Sequence, residues 1–267
     1  LRVGTSRFLP QGAFVVYKLV LATYYLFWAV YWPEVDGFEK QSANQLTFWT
    51  WDVCAGYFVV STFTAGLCWQ AAKEHESMLS TSAAHESPII TSEPTTATMT
   101  PIGEPAAASA ATVAQDCGDG LPLPWGLRLL QLVLWNIACI ASLVIPLVWA
   151  TPDYLRQVQL GVKNFDVQAH GLIAFFPLVD QMLIADEFKP KHVVISQVYG
   201  VIYLTFSVFW YYNAPEDEKY LYEDVLDWGE HRLSASIWAV VALGVVVPLA
   251  ALVHLSIYTY VHAASSL

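Results

Sequence analysis

A threonine and a histidine in two separate apolar stretches of this 267-residue chain have the side chains of a nucleophile and its base. Thr50 lies four residues after Leu46, where its stretch begins, and His170 lies three residues after Val167. A hydroxyl is a weak nucleophile until a base removes its proton, and a histidine within hydrogen-bond reach can do this at neutral pH. At about 1.5 Å of rise per residue, two helices running the same way would hold both side chains ~5–9 Å from one membrane interface. We therefore predict a Thr–His dyad; the structural alternative is that each side chain bonds only its own surroundings.

Four further ionisable side chains lie inside apolar stretches, where such groups are costly and mark important contacts. They are Lys18, Asp52, Asp180 and His254. Lys18 and Asp180 each lie five residues from the same end of the predicted bundle, so we predict an ion pair between them. In the alternative, Lys18 reaches the interface alone and Asp180 is protonated or hydrogen-bonded. Asp52 is two residues, about 200° of helical rotation, beyond Thr50 and is therefore a poor third member of a triad.

Other catalytic and metal-binding signatures are absent from the sequence. The chain has no GxSxG, HExxH, GxxxxGKS/T or CxxC motif, which argues against the common serine hydrolases, zinc proteases and nucleotide-driven proteins. Its seven histidines include no i, i+4 pair, so neither a metal centre nor a cofactor is predicted. Three of the four cysteines lie in apolar stretches and are interpreted as small buried hydrophobic residues.

The composition indicates which elements hold these residues. Hydrophobic residues make up 56% of the chain and charged residues 13%, and the mean hydropathy is +0.45, so a lipid bilayer is the expected solvent. With only 12 Lys and Arg and a net charge of -11, the chain lacks the basic face that a nucleic-acid partner requires. Six apolar windows approach the length of about 20 residues that a transmembrane helix needs. They are 13–32, 46–69, 127–150, 167–185, 193–212 and 234–260, so the predicted fold is all-α, one six-span transmembrane helix bundle over residues 1–267.

Two polar segments separate these windows. Residues 74–119, between the second and third windows, are rich in Ser, Thr, Ala and Pro and are predicted to form a disordered low-complexity loop. Residues 215–232 carry seven acidic side chains and are predicted to form a solvated acidic loop. Six spans place both termini on one face, and the basic residues Lys189 and Lys191 favour a cytosolic location for it. The expected membrane is that of the endoplasmic reticulum or the plasma membrane.

Several short motifs resemble those of one superfamily of multi-pass membrane proteins. These are Phe48-Trp49-Thr50-Trp51-Asp52, Ala169-His170-Gly171 followed by Asp180, and Tyr220-Leu221-Tyr222 through Leu226-Asp227-Trp228. They are similar to motifs of the superfamily that contains the androgen-induced protein, the androgen-dependent TFPI-regulating protein and rolling stone. The last of the three elements resembles the rolling stone branch in particular. The resemblance extends over the chain outside residues 74–119.

This resemblance implies a lipid hydrolase. Vertebrate members of the superfamily cleave fatty acid esters of hydroxy fatty acids, with a threonine nucleophile on the second span and a histidine on the fourth. These positions correspond to Thr50 and His170, while Thr47 is an alternative match for the nucleophile. The leading hypothesis is therefore an integral-membrane threonine hydrolase whose partners are the bilayer and a lipid ester substrate. Candidate donors to its oxyanion are the indole N–H groups of Trp49 and Trp51 and the side chain of Asn44.

Two other functions compatible with these residues come from different classes. One is a non-enzymatic rolling stone-like membrane protein, involved in cell fusion or membrane organisation. The other is an ion or proton path along the ionisable residues of the spans: Lys18, Asp52, His170 and Asp180. These four groups fall into two shallow sets at opposite faces, which weakens the hypothesis of a path.

Overall fold

The computed structural model describes residues 4–6, 8–31, 45–85, 123–149, 167–184, 188–216, 218–219, 221 and 225–264. This described part of the chain is helical and contains no strand beyond an isolated antiparallel bridge between Ser6 and Ile184. The first three helices are α1 (Gln11–Tyr31), α2 (Leu46–His85) and α3 (Trp125–Trp149). Helix α4 is a π-helical turn, Val167–Leu172, continued by the α-helix Ile173–Leu183, and α5 (Val193–Asn213) follows a 3-10 turn, Pro190–His192. Helix α6 consists of the α-helices Arg232–Val241 and Val247–Ala264, joined by a π-helical turn, Ala242–Val246. The predicted all-α class is confirmed.

Five helical segments among the described residues are long and apolar enough to cross a membrane. They are Gln11–Tyr31, Leu46–Met78, Trp125–Leu147, Pro190–Asn213 and Arg232–Val261. Each one overlaps a predicted window, so length and composition support the prediction of a multi-pass integral membrane protein. Many large apolar side chains on α5 and α6 face outward, among them Val198, Ile202, Phe209, Leu249 and Leu252. A hydrocarbon solvent accommodates such a surface without cost, whereas water does not.

The fourth predicted window, 167–185, forms a shorter helix than the others. Its apolar stretch is His170–Leu183. The helix begins in a π-helical turn and ends at Leu183, because Ile184 adopts an extended conformation and forms the bridge to Ser6. Within the described residues, the six predicted spans therefore correspond to five helices of spanning length and this shorter apolar one.

Helix α2 continues well beyond the predicted second span of 46–69. It runs to His85, so residues 74–85 are helical, and the predicted loop 74–119 is wrong over this part. The cause is local, because this stretch contains good helix formers and side chains that bond within the helix. Gln70 donates to Glu74 at 3.0 Å, one turn further along. The remainder of the predicted loop, 86–119, lies outside the described residues.

Helices α2 and α3 form the centre of the bundle. Helix α2 packs between α1 and α3, and α3 also contacts α4, α5 and α6. Aromatic rings fill the contact between the first two helices: the Tyr25 ring stacks on Phe58 with centroids 5.1 Å apart, and Trp51 lies 4.5 Å from Tyr25. The Trp51 indole N–H donates to the Tyr25 carbonyl oxygen at 2.9 Å. This core fixes the rotation of α2, and hence the direction in which Thr50 projects.

The N-terminal segment, described at residues 4–6 and 8–10, lies across one end of the bundle. Gly4 lies against α2, where a Cβ atom on it would stand 3.0 Å from the Thr64 carbonyl oxygen. Ser6 donates its hydroxyl hydrogen to the Leu183 carbonyl oxygen at the end of α4, at 3.0 Å. Tyr57 on α2 contacts Asp180 on α4, and further along both helices the segment meets Thr64 and Leu183, so the two helices run in the same direction. This agrees with the parallel arrangement on which the predicted Thr–His dyad depends.

Candidate active site

Thr50 and His170 lie at similar heights on α2 and α4. Thr50 precedes Thr64 by 14 residues, and His170 precedes Leu183 by 13 residues. At about 1.5 Å per residue, both lie ~20 Å from the end of the bundle that the N-terminal segment crosses. The π-helical turn that holds His170 packs directly against α2. The fold thus brings the two helical segments of the predicted dyad together.

The Thr50 side chain is completely buried, with no exposed surface. Its Oγ1 atom lies 3.3 Å from the hydroxyl oxygen of Tyr199 on α5, and either group can donate this hydrogen bond. The hydrogen bond described for Thr50 is thus with Tyr199 and not with His170. The neighbouring Trp49 ring contacts the rings of Tyr203 and Phe206 on α5, with centroids 5.3 and 4.7 Å apart. The start of α2 is therefore held against α5 by these side chains.

His170 is half-buried and belongs to the π-helical turn Val167–Leu172. Single π-helical turns within α-helices occur frequently at functional sites, because the extra residue redirects side chains that a regular helix would place elsewhere. The sequence places His170 in the right helix, but it carries no signal for the π-helical turn. The turn packs against both α2 and α3.

The other residues near the predicted dyad divide by exposure. Thr47, the alternative nucleophile, is 5% exposed, so burial alone does not separate it from Thr50. Asp52 is exposed on α2, away from the buried face of Thr50, as its helical position predicts. The predicted oxyanion donor Trp51 is wrong, because its indole N–H is used by the Tyr25 carbonyl oxygen. Asn44 lies outside the described residues.

The predicted ion pair between Lys18 and Asp180 is confirmed. Lys18 Nζ lies 2.5 Å from Asp180 Oδ1, and neither side chain has any exposed surface. Tyr57 on α2 completes the group: its hydroxyl accepts from Lys18 Nζ at 3.0 Å and donates to Asp180 Oδ2 at 2.5 Å. The rings of Phe14 and Phe58 lie 5.1 and 5.4 Å from the ammonium nitrogen and add cation–π contacts. This buried group joins α1, α2 and α4.

Sequence reasoning missed the part of Tyr57 in this group. One signal was available, because Tyr57 follows Thr50 by seven residues, two turns of helix, and so shares its buried face. Tyrosines are common in transmembrane helices, however, and only the contact between α2 and α4 distinguishes this one. The same contact shows that the face of α2 that holds Thr50 is directed towards the interior of the bundle.

A second buried polar group joins α3, α4 and α6. The His254 ring nitrogens meet two oxygen acceptors: Nε2 lies 2.6 Å from the Cys139 carbonyl oxygen, and Nδ1 contacts the Gln181 side-chain oxygen. The Gln181 amide nitrogen in turn donates to the His254 carbonyl oxygen at 2.9 Å. The sequence marked His254 as an ionisable residue inside a span, but it gave no partner for it. Cys139, Cys54 and Cys68 are buried and form no disulfide among the described residues, so their interpretation as small buried residues is confirmed.

The segment between α5 and α6 is folded back onto α5 where it is described. The indole N–H of Trp228 donates to the Ser207 hydroxyl at 3.1 Å, and that of Trp210 donates to the Glu218 carbonyl oxygen at 3.0 Å. Asp227 is only 6% exposed, and its carboxylate accepts from the Gly229 backbone N–H at 2.8 Å. The predicted solvated acidic loop is therefore wrong for Asp227, which is bonded to its own backbone turn.

No group of three or more His, Cys, Asp and Glu side chains within the described residues has an arrangement that could hold a metal ion. The chain matches no model of a known protein family, no curated protein and no solved structure.

Proposed function

We propose that this protein is an integral-membrane threonine hydrolase that cleaves lipid esters, with Thr50 as nucleophile and His170 as base. The observation that carries the proposal is the position of the Thr50 hydroxyl, which is fully buried in an apolar bundle and level with the π-helical turn of His170. A hydroxyl in such a place is shielded from bulk water, and the turn that carries the proposed base packs against the same helix. The resemblance to the androgen-induced protein and rolling stone superfamily supports the same pair.

The reaction would proceed through an acyl-enzyme. His170 takes the proton of the Thr50 hydroxyl while Oγ1 forms a bond to the ester carbonyl carbon, and the carbonyl electron pair moves onto its oxygen. When the carbonyl re-forms, the bond to the alcohol breaks, and the alcohol leaves with the proton from His170. Water then attacks the acyl-threonine by the same steps, releasing a fatty acid and restoring the hydroxyl.

A lipid ester is the substrate class that fits the surroundings of Thr50. Aromatic and aliphatic side chains form the core around it, and the outer faces of α5 and α6 are apolar. Acyl chains can reach such a site sideways from the leaflet, since no polar surface has to be crossed. Esters of hydroxy fatty acids are the first candidates because the superfamily resemblance implies them.

The membrane topology proposed with this function has six spans: the five long helices and the shorter α4. The 17 helical residues of α4 extend ~26 Å at about 1.5 Å each, close to a hydrocarbon thickness of about 30 Å. Both termini then lie on one face, which we propose to be cytosolic, in the endoplasmic reticulum or the plasma membrane. Single cysteines placed in residues 4–10 and in the segment after α6, in a background without native cysteines, should react alike with a membrane-impermeant reagent.

The hydrolase proposal is tested with the purified full chain in lipid nanodiscs. Wild type is assayed against a panel of long-chain esters, including esters of hydroxy fatty acids, beside Thr50→Ala and His170→Ala. Wild type should hydrolyse at least one ester, and both variants should lose nearly all of this activity. A fluorophosphonate probe should label wild type and fail to label Thr50→Ala.

Thr47→Ala is the matched control, since it removes a second buried threonine one turn earlier on the same helix. It should keep both hydrolysis and labelling. Equal turnover by wild type, Thr50→Ala and His170→Ala would overturn the proposal and favour a non-enzymatic role in membrane organisation. Loss in Thr47→Ala with retention in Thr50→Ala would move the nucleophile to Thr47.

A further inference from the structure

Tyr199 forms a hydrogen bond with the proposed nucleophile, Thr50. Its hydroxyl oxygen lies 3.3 Å from Thr50 Oγ1, although α5 contributes no residue to the predicted site. Tyr199 is half-buried, whereas Thr50 is fully buried. A tyrosine hydroxyl can both donate and accept a hydrogen bond, and it stays protonated at neutral pH in its ordinary state.

Contacts on both sides hold Tyr199 in place. One turn earlier, Ser196 donates its hydroxyl hydrogen to the Asn136 carbonyl oxygen of α3 at 3.0 Å. One turn later, the Tyr203 ring packs edge-on against Trp49 of α2. A donor that is fixed before the reaction needs no reorganisation when charge develops, which is the condition for strong electrostatic catalysis.

We infer that Tyr199 is a catalytic residue that donates a hydrogen bond to the oxyanion; this rests on the proposed function of Thr50. In the resting enzyme its hydroxyl donates to Thr50 Oγ1, which leaves the threonine proton free to pass to His170. As Oγ1 bonds to the ester carbon, an oxyanion forms on that same carbon. The oxyanion and Oγ1 are bonded to the same carbon, so a donor that is already 3.3 Å from Oγ1 is within reach of the oxyanion.

This step needs no proton donor or acceptor besides Thr50, His170, Tyr199 and the ester. The threonine proton goes to His170 and then to the leaving alcohol, while Tyr199 keeps its own proton and only shares it with the oxyanion. Tyr199 also supplies what Trp51 does not, since the Trp51 indole N–H is bound to the Tyr25 carbonyl oxygen. The hydroxyl of Tyr199 can therefore donate to the oxyanion in place of the indole N–H group that was predicted from the sequence.

The test compares Tyr199→Phe with wild type on the best ester of the panel, in the same nanodiscs. Removing one oxyanion donor typically lowers kcat by about 10²–10³-fold, so we expect a loss of that size with KM changed by less than about 3-fold. Labelling by the fluorophosphonate should slow in the same proportion, because its phosphoryl oxygen occupies the oxyanion position. Tyr212→Phe is the matched control: it makes the same change at an exposed position of α5 and should leave kcat within about 3-fold of wild type.

The outcomes separate this inference from the function on which it rests. If Thr50→Ala is inactive and Tyr199→Phe retains wild-type kcat, or changes only KM, Tyr199 is not an oxyanion donor although the hydrolase stands. If wild type shows no turnover or labelling beyond that of Thr50→Ala, both ideas fail. Should Tyr199→Phe not fold, difluorotyrosine at position 199 keeps the hydroxyl and makes it a stronger donor. An unchanged kcat in that protein would also overturn the inference.

Discussion

The Nζ atom of Lys18 on α1 lies 2.5 Å from Oδ1 of Asp180 on α4, and neither side chain is exposed to any solvent. Removing two charges from water is expensive, so such a pair contributes less to net stability than to fixing which surfaces meet. Tyr57 bonds both charges and brings α2 into the same contact. The group therefore sets the relative positions of α2 and α4, the two helices that carry Thr50 and His170.

Replacing Asp180 with Asn should destabilise the bundle strongly. The change leaves the buried Lys18 ammonium without its counter-charge, which typically costs about 3–5 kcal/mol of the free energy of unfolding. Unfolding by SDS, followed by circular dichroism in mixed micelles, measures this difference. Asp52→Asn makes the same chemical change at an exposed position of α2 and should stay within about 0.5 kcal/mol of wild type.

A double variant, Lys18→Met with Asp180→Leu, tests the electrostatic explanation itself. Replacing a whole buried pair by apolar residues of similar volume is often neutral or stabilising, because no charge has to be desolvated. The double variant should therefore recover most of the stability that Asp180→Asn loses. A double variant as unstable as the single one would show that packing, and not charge, dominates at this contact.

The features that were predictable from the sequence depend on one segment of the chain at a time. The Lys18–Asp180 pair follows from depth alone, since few ionisable groups lie inside the spans and these two lie at the same level. The five long helices follow equally from the length of their apolar stretches. Length and depth are properties of one segment at a time, so they can be read along the chain.

The features that were missed depend on how helices meet. Neither the hydrogen bond between Tyr199 and Thr50 nor the contact of Tyr57 with Asp180 can be deduced without knowing which faces of α2, α4 and α5 adjoin. Residues 74–85 were missed for a different reason, because a composition rich in Ser, Ala and Glu suits both a loop and an exposed helix.

Tyr57→Phe should lower the free energy of unfolding by about 1.5–3 kcal/mol. The variant keeps the ring but removes a donor to a buried carboxylate and an acceptor for a buried ammonium, and hydrogen bonds to charged groups are worth about this much. The same unfolding measurement applies. Tyr212→Phe removes an exposed hydroxyl on α5 and should have no measurable effect; equal losses in both variants would contradict the assigned role of Tyr57.

His254→Leu should weaken the attachment of α6 to α3 and α4. The substitution leaves the Cys139 carbonyl oxygen and the Gln181 side-chain oxygen buried without the histidine, at a cost of about 2–4 kcal/mol in the free energy of unfolding. Hydrogen exchange measured by mass spectrometry should show faster exchange in α6 than in wild type. Ser256→Ala, two residues along the same helix, removes only an exposed hydroxyl bonded to its own helix, so exchange there should be unchanged.

Gly4→Ala should release the N-terminal segment from the bundle. Gly4 has φ +85°, a left-handed conformation that costs residues with a Cβ atom about 1–2 kcal/mol. The new Cβ would also stand 3.0 Å from the Thr64 carbonyl oxygen and 3.1 Å from the Cys68 sulfur, so α2 or the segment has to shift. Faster hydrogen exchange and faster proteolysis confined to residues 4–10 are the expected results.

Gly126→Ala is the control, because its added methyl group meets nothing within 4 Å. If Gly4→Ala leaves the exchange of this segment at the wild-type rate, the segment is held mainly by the bond from Ser6 to Leu183, and Ser6→Ala should then be the variant that frees it.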